Sequence, residues 1–199
     1  RFYDVSQGEI LLDGIDIRSF SKKFLRQNIG IALQDVFIFS GTIKSNIALG
    51  EDEPSLHRIA EAAEAIGASE FIEKLPGGYD YVLTERGSTL SAGQRQLLSF
   101  ARVMYKGPRI LVLDEATSSV DTHAEHLIQK ALEKLIAGRT SLVIAHRLST
   151  IRHVDRIIVM HHGRITEMGT HEELLRQRGI YFNLYQLQYR DQEAAIEEA

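Results

Sequence analysis

Asp114 and Glu115 close the apolar run Ile110-Leu111-Val112-Leu113. Such a run, bounded by Pro108 on one side and the acidic pair on the other, reads as a strand buried on both faces, as in a parallel sheet. The two carboxylates then stand at a strand's carboxyl end, where open α/β sheets place their ligands. Upstream, Ser91-Ala92-Gly93-Gln94 offers a hydroxyl, two small residues and the start of a helix. A helix start of that kind attracts anions, because unpaired N–H groups and the macrodipole point at the incoming charge. Two more polar side chains follow apolar strands: Gln34 after Ile29–Leu33, and His146 after Thr140–Ala145. His146 falls on the same sheet edge as the carboxylates.

The elements that must hold these groups are legible in outline. Gly8 to Gly14 reads as a strand closed by an Asp13-Gly14 turn, and a Lys- and Arg-bearing helical turn precedes Ile29. Ser55 to Ile66 carries an Ala/Ile stripe at helical spacing, with Glu51 to Pro54 at its start. Gly67 and Pro76-Gly77-Gly78 break the helices that follow, so a small helical lobe is expected from about 35 to 104. A helix from about His123 to Ile136 ends at Gly138. Asp155 to Met160 and Arg164 to Glu167 form a hairpin about His161-His162-Gly163, and Thr170 with Glu173 predicts a capping box. His123 and His126 read as a solvated helix face and the paired histidines as a polar turn, not as metal ligands.

Composition narrows the function. The net charge of −4 argues against a nucleic-acid surface. No cysteine is present, which fits a reducing compartment and excludes disulfides and thiolate metal sites. The longest apolar runs fall far short of the roughly 18 to 20 residues that cross a bilayer.

Taken together, LSAGQ, then ILVLDEAT, then SSVD resemble the signature motif, Walker B and D-loop of an ATP-binding cassette (ABC) ATPase of the exporter type. The resemblance runs to about residue 178. It implies an α/β fold of the P-loop NTPase kind: a mainly parallel core sheet over 1–34 and 105–178, an inserted α-helical subdomain over about 35–104, and a helix or tail over 179–199. It implies ATP and Mg²⁺ as ligands, with Asp114 and Gln34 at the metal. Glu115 is then the general base, and His146 and Gln34 orient the attacking water. Ser91, Gly93 and Gln94 would clamp nucleotide held by a second nucleotide-binding domain, homo- or heterodimeric, with Asp121 coupling the two sites. Ala92 stands where the family most often has glycine, one added methyl beside that clamp.

Phe37, Ile38 and Phe39 are open to two readings: core, or a docking groove for the coupling helices of a transmembrane domain, as QDVFIFSGTIKSNI resembles. Glu85 and Arg86, in a stretch similar to the exporter X-loop, are either cross-talk residues or a solvated turn. The resemblance implies work at the cytoplasmic face of a membrane. The alternatives are a non-catalytic partner lending its signature in trans, or a soluble ABC-type ATPase acting on nucleic acid or the ribosome.

The pattern G-x-x-x-x-G-K-[ST] does not occur in the 199 residues. Residues 1–5 resemble the tail of the helix that follows a P-loop, so the expectation is a piece of a longer chain whose phosphate cradle lies upstream. In that case a strand is missing beside the Asp114 strand, leaving the piece marginally folded, aggregation-prone and inactive alone.

Overall fold

Asp114 ends a strand that has neighbours on both sides. In the computed structural model, which describes residues 1, 3–33, 35–84, 87–114, 122–145 and 154–187, the core sheet has three parallel strands. These are β3 (Ile29–Ala32), β6 (Ile110–Asp114) and β7 (Thr140–Ile144), in the order β3-β6-β7. Among the described residues the unpaired backbone therefore lies on β3 and β7, not beside Asp114 as the sequence reading had it. The Asp114 strand is central because Arg109 links both neighbours where the strands begin: its N–H donates to Asn28 O at 3.1 Å and its carbonyl accepts from Thr140 N–H at 3.3 Å.

Before this sheet, β1 (Leu11–Leu12) and β2 (Ile15–Asp16) form an antiparallel hairpin. Its turn residues, Asp13 and Gly14, have φ of 49° and 79°, the left-handed pair that a tight hairpin asks for. Helix α1 (Lys22–Asn28), capped by Ser21, leads into β3. The helical region holds α2 (Ile43–Ile47), α3 (Leu56–Ala65), α4 (Ser69–Ile72) and the short pair β4 (Gly41–Thr42) and β5 (Val82–Leu83). Ser55 caps α3, so Glu51 to Pro54 lie ahead of the helix and add no acid to its first turn. Glu51 instead accepts from the Tyr105 hydroxyl at 2.7 Å.

Helix α5 (Ala92–Lys106) stops at Gly107, whose φ of 58° ends the helix and turns the chain towards β6. The return is tight. A Cβ at Gly30 on β3 would stand 2.5 Å from Pro108 Cγ, so glycine is what lets the strand and the turn meet. Helix α6 (Thr122–Ile136) then leads to β7.

One core serves the helices and the sheet together: Ile43, Ile47, Ile59, Leu98, Leu111, Leu113, Ile128 and Leu135 are all buried in it. β6 is nevertheless not buried on both faces. Leu111 and Leu113 face the helices, whereas Ile110 and Val112 are only half-buried. The register aligns Ile31, Val112 and Leu142 across the sheet, and Ile31 (49%) and Leu142 (57%) are largely exposed. An apolar run reports that a strand prefers burial, not how many layers cover it.

The chain divides into two units, Arg1–Ile144 and Ala145–Ala199. The second holds β8 (Ile157–His161) and β9 (Arg164–Gly169), whose turn is His162-Gly163, so His161 belongs to the strand. Helix α7 (His171–Gln177) opens with the expected box of Thr170 and Glu173. A helical segment over 180–187 is tied back by Glu167, whose carboxylate accepts from Ile180 and Tyr181 N–H at 2.5 and 3.1 Å.

Candidate functional site

The sheet edge is built by register. Ala32 pairs with Leu113 and Asp114 with Ile144, so β3, β6 and β7 end side by side, pointing the same way. Asp114 is half-buried at that edge. Its aliphatic neighbours anchor the strand while its carboxylate stands at the strand end. This hard oxygen donor suits a divalent cation such as Mg²⁺, which binds through one or two carboxylates and keeps several waters. Among the described residues no three His, Asp or Glu side chains form a ready metal cluster. Gln34 follows β3 by two positions, Glu115 follows Asp114 directly and His146 follows β7 by two; all three lie outside the described residues.

A second feature is the start of α5. Ser91 is exposed and caps the helix, its Oγ accepting from Gln94 N–H at 3.2 Å, while Ser91 N–H donates to Gln94 Oε1 at 2.9 Å. This reciprocal box fixes the turn and engages the Gln94 carbonyl, so Gln94 acts on the cap before anything else. The Ala92 and Gly93 amides, at the first two helical positions, have no carbonyl within the helix to donate to. The Ser91 hydroxyl proton can still turn outward. A cavity of about 250 Å³ adjoins the turn, lined by Gly67, Phe71, Lys74, Ser91, Gly93 and Leu97 among others. Asp114 does not line it. The anion-seeking turn and the cation-seeking carboxylate thus do not share that cavity. Asp121 lies outside the described residues.

The aromatic stretch divides residue by residue. Ile38 is fully buried, whereas Phe37 (55%) and Phe39 (42%) are exposed and meet edge to face with ring centroids 4.7 Å apart. The core reading holds for Ile38, and Phe37 and Phe39 are left outside that core. Glu85 and Arg86 lie outside the described residues, flanked by Thr84 and Ser88, whose hydroxyls are 3.0 Å apart.

Two polar residues near this loop escaped the sequence reading. Asn46 is 1% exposed, and Arg102 is buried enough that desolvation lowers its pKa below the usual arginine range. Their only signal was a polar residue inside an apolar helical stripe: Asn46 between Ile43 and Ile47, and Arg102 between Ala101 and Val103.

Residues 1–118 match the family model described as ABC transporter. The chain is 53% identical to an ATP-dependent lipid A-core flippase of Syntrophus aciditrophicus, over 99% of this chain and 33% of that protein. It is 50% identical to a putative multidrug export ATP-binding/permease protein of Bacillus subtilis, over 94% of this chain and 32% of the relative. Among solved structures, a bacterial Atm1-family ABC exporter with ATP bound matches with a TM-score of 0.86 at 42% identity, covering 94% of this chain and 33% of that one. This chain therefore spans about a third of the length of the curated relatives it matches. Among the described residues no helix is long and apolar enough to cross a membrane.

Proposed function

The chain belongs to the ABC transporter family, and from that premise we propose that it is part of the ATP-binding and ATP-hydrolysing domain of an exporter. The observation that carries this reading is the alignment of three parallel strand ends beside Asp114, with a capped helix start on the same unit at which Ser91 is exposed and Gly93 lines the adjoining cavity. One ATP site needs both features, so the two halves would come from two copies or from a paired domain. Phosphoryl transfer to water is mainly positioning and charge neutralisation. Mg²⁺, when bound, supplies the neutralisation. Asp114 and Gln34 would hold it, Glu115 would take the proton of the attacking water, and His146 would orient that water. Ser91 and Gly93 would donate hydrogen bonds to the γ-phosphate of a nucleotide on the partner, and Asp121 would link the two sites.

The expected organisation is a sheet core over 1–34 and 105–178 around the helical region 35–104, with the phosphate cradle contributed by sequence outside these 199 residues. The exposed apolar row Ile31 and Leu142 and the edge of β7, unpaired among the described residues, support that last point. Phe37 and Phe39 would dock on the transmembrane domain's coupling helices, with Glu85 and Arg86 nearby, at the cytoplasmic face of the membrane.

The test is Glu115→Gln in the complete transporter. ATP binding should persist while hydrolysis falls by about 10²- to 10⁴-fold, the usual contribution of a general base. An unchanged rate removes Glu115 from the mechanism.

A further inference from the structure

The loop that carries Phe37 and Phe39 is held by a closed polar network. Asn46 Oδ1 accepts from Phe39 N–H at 2.9 Å, and its amide donates to Phe39 O at 2.9 Å and Thr42 O at 3.1 Å. Arg102 supplies the rest: Nε to Asn46 O at 2.9 Å, one terminal nitrogen to Phe37 O at 3.1 Å, the other to Asn46 Oδ1 at 3.3 Å. Its guanidinium also lies 5.7 Å from the Phe39 ring centre. Both valences at each end of the Asn46 amide are filled, and a fully satisfied buried network of this kind fixes one geometry. Among the described residues the partners of Arg102 are amide and carbonyl oxygens and a ring face, with no carboxylate. Fixing a surface loop does not by itself require a half-buried arginine desolvated without a counter-charge. What the arginine gains is reach, from the middle of α5 to both aromatic residues at once.

We infer that Asn46 and Arg102 form a clamp that makes the Phe37–Phe39 loop and helix α5 move as one body, so that displacement at the aromatic pair reaches the Ser91 turn. Arg102 lies eleven residues from Ser91, roughly three turns along one uninterrupted helix. The clamp rests on the docking reading of Phe37 and Phe39 given above. Asn46 and Arg102 act as positioning residues and touch no nucleotide.

These 199 residues contain no cysteine, so in a complete transporter whose other cysteines are replaced by serine, Ser40→Cys and Thr89→Cys, both at exposed positions, offer two attachment points for spin labels. In liposomes of phosphatidylethanolamine and phosphatidylglycerol, the label-to-label distance should be narrow and unchanged between the nucleotide-free and ATP–vanadate-trapped states. Asn46→Ala or Arg102→Lys should broaden it and lower ATPase activity in those liposomes about tenfold, the factor one buried hydrogen bond to a charged group carries. The double variant should broaden it no further, since both residues belong to one link. An unchanged distance in the single variants overturns the inference. So does equal broadening for a control pair at His57 and Lys74, which would signify general loosening. Phe37→Ala with Phe39→Ala examines the docking reading separately: it should lower the ATPase activity yet leave the distance narrow. If that variant leaves the activity intact, docking fails while the clamp stands on its own distance data.

Discussion

Ser91 has two duties that a single substitution can separate. As a helix cap it needs only a side-chain oxygen accepting from Gln94 N–H; as a phosphate contact it must donate and must not be negative. Aspartate caps as well as serine but repels a phosphate. Ser91→Asp in the complete transporter should therefore melt within about 1 kcal/mol of the parent while losing ATPase activity, as read by thermal unfolding alongside a phosphate-release assay. Retained activity would reduce Ser91 to a structural cap. The serine's position before a helix was plain in the sequence, because capping is settled between residues three apart. That Gln94 turns back to complete the box was not read from the sequence, which assigned it to nucleotide.

At the scale of elements, α7 shows how a local signal becomes pH-dependent stability. Hydrogen bonding from the Thr170 backbone N–H, and then from its side chain, holds the Glu173 carboxyl below the usual glutamate range. A group whose pKa is lowered by folding stabilises the fold fully above its unfolded value, and that stability is lost as pH falls through the folded value. The second unit should therefore weaken below the ordinary glutamate range. Glu173→Gln, which can still cap, should flatten that acid limb; amide exchange across 171–177 at stepped pH measures it. A limb unchanged by the substitution would assign the acid sensitivity elsewhere. The Asp13-Gly14 turn was equally legible, since Asp-Gly acts within a few residues, but the short partner strand Ile15–Asp16 that it leads into was not. The burial of β6 was not, because its apolar residues do not say which layer is present on each side.

For the whole molecule, the sheet decides behaviour in isolation. The face bearing Ile31, Leu142 and Ile144 exposes a contiguous apolar row, and such a row on a free sheet invites association. Leu142→Asp should raise the solubility of the 199-residue chain by itself and lower the melting temperature of the complete transporter, where the proposed upstream segment covers that face. A variant that is neutral in the complete protein would mean the face is open there as well. Opposite signs in the two settings distinguish a covered surface from a merely greasy one.

The sequence by itself determined the Ser91 and Thr170 caps, the Asp13-Gly14 turn and the end of the Asp114 strand, because each depends on contacts within a few residues. Only the tertiary structure decided that the Asp114 strand is central, that Ile38 turns inward between two outward phenylalanines, and that Asn46 meets Arg102 from 56 positions away. Those outcomes depend on how α5 returns over the sheet and on which surfaces meet there, and no short-range pattern carries that information.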